Sequence, residues 1–447
     1  MAVGGPPEDA EVVVLGGGPG GSVCAAKLAL LGRKVVVLER ERHPRFHLGE
    51  SLLPRSLPVL QAIGVLEDVS ARFLVKRGAR FVDGEREDKT VRYAFAEAFH
   101  MVWDHAFQVP RDAFDELLFR RAGACGAELR EGWRATRVEH RAEGGAIVQA
   151  LDPDETPREL RARFVVDATG RDALLAREAR DVERIAHLDR TALFTQVRGA
   201  WRDTGEREGD IQIVVFGERR HVSGFAGAWS KEEAHVSGSA GAWSKEGPHV
   251  SGSVGWFWLI PFADGRTSVG AVVSSAWLQA RRSLGGPEAL FEAAVRETPT
   301  VSRMLAGSER VFPPRAAADF SFRVHRLWGP GWALLGDAGG FIDPLFSTGA
   351  HLAMHGGLRA AEAIDASLRT PASSGTVFAA WEREMRAGAS LFQGAVQAFY
   401  VADLVDYLFA EPQHPFLRRA ITSLLAGDVF DDNARWTREM RARFPPR

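Results

Sequence analysis

Glu11-Val12-Val13-Val14-Leu15-Gly16-Gly17-Gly18-Pro19-Gly20-Gly21 sets the architecture of this 447-residue chain. The apolar, β-branched run from Glu11 to Leu15 predicts a buried strand. A helical pattern follows the glycines through Leu31, and Gly32 stops it. Lys34 to Leu38 reads as the next strand and ends at Glu39. Strand, glycine turn, helix, strand and acid together open a Rossmann unit. Gly16 allows the tight turn, Gly18 lets backbone approach a pyrophosphate, and Gly21 lets the helix pack on the strand. Pro19 starts the helix, whose N-terminal N–H groups face the diphosphate. Glu39 sits where a carboxylate accepts ribose hydroxyls, with Arg40 beside it. The motif by itself does not separate NAD from FAD.

Hydrophobic content of 45% and charged content of 26% are ordinary globular values. A net charge of -2 gives no global basic field of the kind that nucleic acid attracts. Cys24 and Cys125, the two cysteines, supply neither a disulfide framework nor zinc spacing, and no metal site is expected. The first ten residues lack the charged-then-apolar order of a signal peptide. No apolar run approaches the ~18 residues of a membrane span. A cytoplasmic protein is expected. Only six of the 56 basic residues are lysine: Lys27, Lys34, Lys76, Lys89, Lys231 and Lys245. Lysine can lose its proton when desolvated, whereas arginine effectively cannot.

Downstream, Asp112 to Gly123 predicts a helix. Trp133 to His140, Ala146 to Leu151 and Phe164 to Asp167 read as strands. Thr191 to Ser275 is mostly strand-like, which points to a separate sheet. Gly331 to Leu335 is another apolar strand, and beyond Thr348 the pattern is helical. His221 to Glu232 recurs almost unchanged at His235 to Glu246, and a partial third copy starts at His249. This tandem duplication reads as a lengthened loop or hairpin; over a substrate entrance, Trp229 and Trp243 would touch a partner. In the C-terminal region Phe392, Phe399, Tyr400 and Tyr407 form an aromatic stripe, expected in the core. Asp403 and Asp406 are expected to be solvated.

Several segments have a bland reading when taken alone. Gly255-Trp256-Phe257-Trp258-Leu259-Ile260-Pro261 predicts a half-buried strand with alternating aromatics and a proline at its edge. Lys76, in Val75-Lys76-Arg77-Gly78-Ala79, predicts a solvated surface lysine. Arg111, in Gln108-Val109-Pro110-Arg111, predicts a surface residue before a helix. In Asp343-Pro344-Leu345-Phe346-Ser347-Thr348-Gly349, the last three residues are expected to cap the next helix and present backbone N–H groups.

Taken together and in this order, these segments resemble the flavin-dependent halogenases over nearly the whole chain. The match is to the variant B group, whose substrates are tethered to a carrier protein. Lys76 stands in the family's position relative to His47-Leu48-Gly49-Glu50-Ser51, and the Trp-x-Trp-x-Ile-Pro string is the family's own. The resemblance implies FAD, used as FADH2 and supplied by a separate flavin reductase. It implies an α/β fold: a Rossmann-like FAD-binding domain of the hydroxylase type, interleaved with a mixed-sheet substrate domain, plus a helical C-terminal region. The expected boundaries are 1–80, 100–180 and 305–370 for the first, 81–99 and 181–304 for the second, and 371–447 for the third.

The resemblance also assigns roles. Gly336 and Asp337 would contact the ribityl-phosphate region, and Asp167, in Asp167-Ala168-Thr169-Gly170-Arg171, the second nucleotide segment. Arg111 would lie near the flavin, and Gly349 and Ala350 over its ring. Ser347, Thr348 and Gly349 would form the halide site. Lys76, Trp256 and Trp258 would be catalytic. A flavin hydroperoxide and chloride would give hypochlorous acid, with O2 as cosubstrate. Lys76 would direct it to an electron-rich ring, preferably a carrier-bound tyrosyl phenol, and the tryptophans would hinder oxygen insertion. Tryptophan halogenases carry glutamate where this chain has Phe346, which argues against free tryptophan as substrate. Three other readings stay open: a flavin-dependent aromatic monooxygenase, a geranylgeranyl-reductase-like enzyme, and a carrier-docking partner with residual flavin binding.

Overall fold

The computed structural model describes residues 9–100, 102–141, 144–186, 188–217, 254–318, 320–400 and 403–446. The repeat at 221–248, with Trp229, Trp243 and its histidines, lies outside the described residues, as does the Asp403 side chain. No described helix is long and apolar enough to cross a membrane.

The chain divides into two compact units and passes between them five times. One holds residues 1–71, 109–184 and 322–386; the other holds 72–108, 185–321 and 387–447.

The first unit is built on an eight-stranded sheet. Ala10–Leu15 pairs in parallel with Val35–Glu39 on one side and Pro157–Asp167 on the other. Trp332–Leu334 and Glu128–Glu131 extend this parallel core. Val12 to Leu15 and Val35 to Leu38 are buried throughout, which is why they read as unbroken apolar runs rather than as alternation. Arg134–His140 and Ala146–Leu151 add an antiparallel pair. Helices Pro19–Leu30, Arg111–Ala124 and Thr348–Arg369 belong to this unit.

Glycine is required where backbones touch. Gly16 has φ +103, and a Cβ there would lie 2.3 Å from the Ala168 carbonyl oxygen. A Cβ on Gly21 would lie 2.1 Å from the Gly16 carbonyl oxygen, so helix and turn meet with no room for a methyl group.

The second unit is built on another eight-stranded sheet. Its path runs Glu309–Arg310, Arg190–Arg198, Arg266–Ser274, Gly255–Pro261, Ile211–Phe216, Gly78–Asp83, Thr90–Ala94, with Arg315–Ala318 also on Arg190–Arg198. It is antiparallel except where Ile211–Phe216 runs parallel to Gly78–Asp83. Leu74–Lys76 and Ala106–Gln108 form a separate ribbon.

The expected half-buried tryptophan strand is corrected here. Every residue from Gly255 to Pro261 is buried, and two strands flank it, so Pro261 stands at a strand end rather than on a sheet edge. Phe257 and Leu259 face a core with Val82, Val214, Phe291 and Met304. Trp256 and Trp258 project from the opposite side. Phe392, Phe399 and Tyr400 are buried as the stripe predicted. Tyr407 and Asp406 are partly exposed.

Three substitutions test these packing constraints. Gly21→Ala is expected to cost at least about 2 kcal/mol by overpacking, whereas Gly18→Ala should stay within about 0.5 kcal/mol. Gly18 already has φ -72 and its Cβ would meet only Arg45 Nη2 at 3.7 Å. Gly270→Ala places a methyl group 2.1 Å from the Trp258 ring. It should cost about 1–3 kcal/mol, read as a lowered urea midpoint with an unchanged slope.

Candidate functional site

In the first unit the glycine turn opens onto the start of helix Pro19–Leu30, where a helix dipole presents its positive end. Glu39 is buried, and its carboxylate accepts the Gly17 N–H at 2.8 Å and the Glu41 N–H at 3.0 Å. Arg45 Nη2 approaches the same carboxylate at 3.4 Å. The acid therefore holds the turn in shape as well as standing at the strand end. The outer side of Gly18 is open apart from the tip of Arg45. Arg40 is exposed and pairs with Asp172.

Arg111 is buried as the first residue of its helix, not on the surface as its local context predicted. Its Nε and Nη2 donate to the two oxygens of Asp115 at 2.6 and 3.0 Å, and Nη1 donates to the Leu48 carbonyl. The fork thus ties one helix to the His47–Glu50 loop.

Asp167 is fully buried. Its Oδ1 accepts the Thr169 N–H and hydroxyl, and its Oδ2 accepts the Leu175 N–H at 2.8 Å. Burial pushes its pKa up. The carboxylate organises the turn that closes strand Pro157–Asp167.

Asp337 lies in the short turn Gly336–Gly339, and Gly336 has φ +56. Withdrawal from water pushes the Asp337 pKa up to about 6, with Arg111 and Arg171 pulling it down. A Cβ on Gly349 would lie 3.8 Å from Asp337 Oδ1, so the start of helix Thr348–Arg369 and the Asp337 turn come together.

The expected side-chain cap at this helix is corrected. Ser347 sits in the left-handed region with φ 56, and its hydroxyl makes no capping hydrogen bond. With that backbone the side chain cannot fold over the first turn, so the first-turn N–H groups of the helix are not served by it. Asp343 instead braces the approach, accepting the Leu345 N–H at 2.9 Å. Thr348 and Ala350 are buried.

In the second unit Lys76 overturns its local reading as a solvated lysine. It is 2% exposed, and its Nζ lies 5.1 Å from the centroid of the Phe95 ring. Withdrawal from water pulls its pKa down to about 7, against the opposing pull of Asp210. Asp210 is itself buried, accepting the Arg77 N–H at 3.0 Å and Arg92 Nε at 2.6 Å. At neutral pH this amine is therefore poised between ammonium and free base.

Trp256 and Trp258 are held rigidly. Their ring centroids are 5.9 Å apart. Trp258 Nε1 donates to Ser268 Oγ at 3.1 Å, and Trp256 Nε1 donates to the Tyr400 hydroxyl at 2.9 Å. The Arg190 guanidinium lies 4.0 Å from the centroid of the Tyr400 ring.

Sequence reasoning missed Asp210, Arg190 and the pairing of Tyr400 with Trp256. One signal existed for Tyr400. The chain has three tyrosines, Tyr93, Tyr400 and Tyr407, and all lie in the second unit. The candidate residues divide cleanly: Lys76, Trp256 and Trp258 are in the second unit, and the others are in the first.

Comparison with known proteins completes the assignment. Residues 9–244 match the family described as an FAD binding domain, and residues 244–408 match the family described as tryptophan halogenase. A 1H-pyrrole-2-carbonyl-(peptidyl-carrier protein) chlorinase of Pseudomonas fluorescens is 30% identical over 94% of this chain and 90% of its own length. The myxobacterial chondrochloren halogenase superposes with a TM-score of 0.75 at 29% identity, over 98% of this chain and 97% of that one. A flavoprotein/dehydrogenase of Cytophaga hutchinsonii gives a TM-score of 0.81 at 28% identity, over 96% and 95%. A glycine turn left open beside Gly18, a helix start behind it and a buried acid at the next strand end all suit the diphosphate and ribose of FAD. The chain belongs to the flavin-dependent halogenases, and FAD is its cofactor.

Proposed function

We propose that this halogenase passes hypochlorous acid through Lys76 to an electron-rich aromatic ring presented on a carrier protein. The observation that carries the reading is the sealed Lys76 amine, 2% exposed beside Phe95. FAD, reduced by a separate reductase, supplies the oxidising chemistry from O2 and chloride. Gly16, Gly18, Pro19, Gly21, Glu39, Arg40, Arg111, Asp167, Gly336, Asp337, Gly349 and Ala350 hold the cofactor. Ser347, Thr348 and Gly349 receive chloride, aided by a helix start whose N–H groups the Ser347 side chain leaves uncapped.

Neutral Lys76 Nζ takes chlorine from hypochlorous acid. The N–Cl bond forms, the Cl–O bond breaks, and the displaced proton leaves with hydroxide as water. The ring then attacks the chlorine, the N–Cl bond breaks, and the ring proton returns to the amine. Protonated, the same nitrogen donates a hydrogen bond to hypochlorous acid and holds it. Trp256 and Trp258 shield the substrate from direct oxygen insertion.

A tyrosyl phenol is the preferred ring. The carrier-bound pyrrole named for the Pseudomonas fluorescens relative makes a pyrrolyl ring the second reading. The test is mass spectrometry after aerobic incubation with FAD, a flavin reductase, NADH and chloride. Tyrosyl-carrier, pyrrolyl-carrier, free tyrosine and free tryptophan are offered in parallel. A chlorine isotope pattern on a tethered ring is expected; chlorine only on free amino acids, or addition of one oxygen, overturns the proposal.

Lys76→Ala should keep FAD binding and reduced-flavin oxidation while chlorination falls by a factor on the order of 100 or more. Lys76→Arg should fail as well, because arginine does not become a neutral amine. Wild-type chlorination by Lys76→Ala would remove Lys76 from the path; wild-type chlorination by Lys76→Arg alone would remove the N–Cl route and leave the hydrogen-bonding role.

Burial also makes a stability prediction. Folded Lys76 releases its proton near pH 7, and the unfolded residue near its ordinary 10.5. Between these values the unfolded chain binds more protons, so stability rises with pH; below about 7 the whole cost of a buried ammonium is present. Lys76→Met removes that cost. It should be more stable than wild type by on the order of a few kcal/mol at pH 6, and the gap should close toward pH 10.5. A difference that does not change with pH would show that Lys76 titrates normally.

A further inference from the structure

Helix Thr348–Arg369 begins at the proposed halide and flavin residues, and one of its faces carries two histidines a turn apart. His351 is 1% exposed, and its Nδ1 lies 3.1 Å from the hydroxyl of Ser56, which is wholly buried. The His351 and His355 rings are 6.2 Å apart between centroids, with planes at 45°. Proton transfer across that separation requires a ring rotation or one bridging solvent molecule. His355 Nε2 lies 2.8 Å from Glu384 Oε1, and these side chains are 18% and 25% exposed. Exposure thus rises stepwise from Ser56 to Glu384, along groups that each both accept and release a proton.

Charged groups adjoin this line at its Glu384 end. Arg359 Nε donates to Glu384 Oε2 at 3.3 Å, and Arg359 also pairs with Glu362. The facing helix Ser374–Tyr400 contributes Glu384 and the Trp381 indole, whose N–H donates to the Gly356 carbonyl at 3.2 Å. A tie between two helices needs only the His355–Glu384 pair. It gives no reason for a second histidine to be buried against a serine, where an imidazole costs desolvation.

The halogenase chemistry has a use for such a line. Chloride, O2, the two hydrogens of reduced flavin and one H+ leave as hypochlorous acid, water and oxidised flavin. Each turnover therefore draws one proton from solvent into the interior.

We propose that Glu384, His355, His351 and Ser56 form a proton relay from solvent to the buried start of helix Thr348–Arg369, supplying the proton that each hypochlorous acid consumes. It rests on the halogenase reading. The O–H or N–H bond at each donor breaks as the bond at the next acceptor forms, and no electrons move. The four are positioning residues that act through one another.

The relay is tested first in the FAD-free protein with 15N-labelled histidine. Exchange of the His351 ring N–H with water should slow by about tenfold or more in His355→Gln, which keeps a hydrogen-bonding side chain opposite Glu384. The loaded enzyme is then given reduced FAD, O2, chloride and a chemical trap for hypochlorous acid, with no aromatic substrate. Trapped hypochlorous acid should fall in His355→Gln and recover on adding imidazole, with FAD affinity unchanged. Glu384→Gln serves as the second variant if His355→Gln misfolds, and should show the same pattern.

Unchanged exchange, or a loss that imidazole leaves in place, overturns the relay. If wild type yields no hypochlorous acid while exchange still depends on His355, the proton path stands and the halogenase chemistry falls.

Discussion

Backbone segments meet at Gly16, Gly21 and Gly357 with no space for a side chain at those three positions, and the first unit is arranged around that convergence. The Ala168 carbonyl presses on Gly16, the Gly16 carbonyl presses on Gly21, and the Gly20 carbonyl would lie 2.4 Å from a Cβ on Gly357. Strand Ala10–Leu15, the end of strand Pro157–Asp167 and helices Pro19–Leu30 and Thr348–Arg369 are thereby fixed to one another at atomic contact. Dispersion and backbone fit, rather than side-chain chemistry, hold the frame on which Glu39, Asp337 and Gly349 stand. That is why a motif of near-featureless residues is so informative.

The second unit invests differently. It buries both faces of strand Gly255–Pro261 and gives each tryptophan N–H an acceptor, as buried indoles require. It also carries the cost of Lys76, an amine withdrawn from water, whose ammonium form the Asp210 charge favours. A structural lysine would be snorkelled to the surface. Retaining one inside, within a chain that otherwise uses arginine almost throughout, is the local conflict on which the proposed role of Lys76 rests.

The glycine turn, the parallel strands and the tryptophan string were legible because their causes are local: period, steric demand and a short spacing. Lys76 could be singled out by family resemblance, but its burial and its neighbour could not be read. Asp210 lies 134 positions away along the sequence and reaches it only through the parallel pairing of Ile211–Phe216 with Gly78–Asp83, a register no local pattern specifies. Tyr400 is separated from Trp256 by 144 residues, and its stripe spacing predicted burial without naming the indole it would meet. Ser347 misled because serine before a helix usually caps it; here the left-handed backbone takes its hydroxyl elsewhere. His351, His355 and Glu384 carry no local sequence signal that joins them; His355 and Glu384 meet only because two helices lie side by side.

The five passages of the chain between units have a consequence for synthesis on the ribosome. Neither unit is a contiguous segment, so the N-terminal 71 residues emerge carrying a glycine turn and two parallel strands without the third, Pro157–Asp167, that flanks them. The first unit is not closed until residues near 386 are out, and the second waits for its helical segment beyond 387. Apolar strands with unpaired edges are exposed for most of translation, a state in which such chains aggregate. Yield in a heterologous host should therefore be governed by elongation rate and chaperone supply more than by the stability of the finished fold.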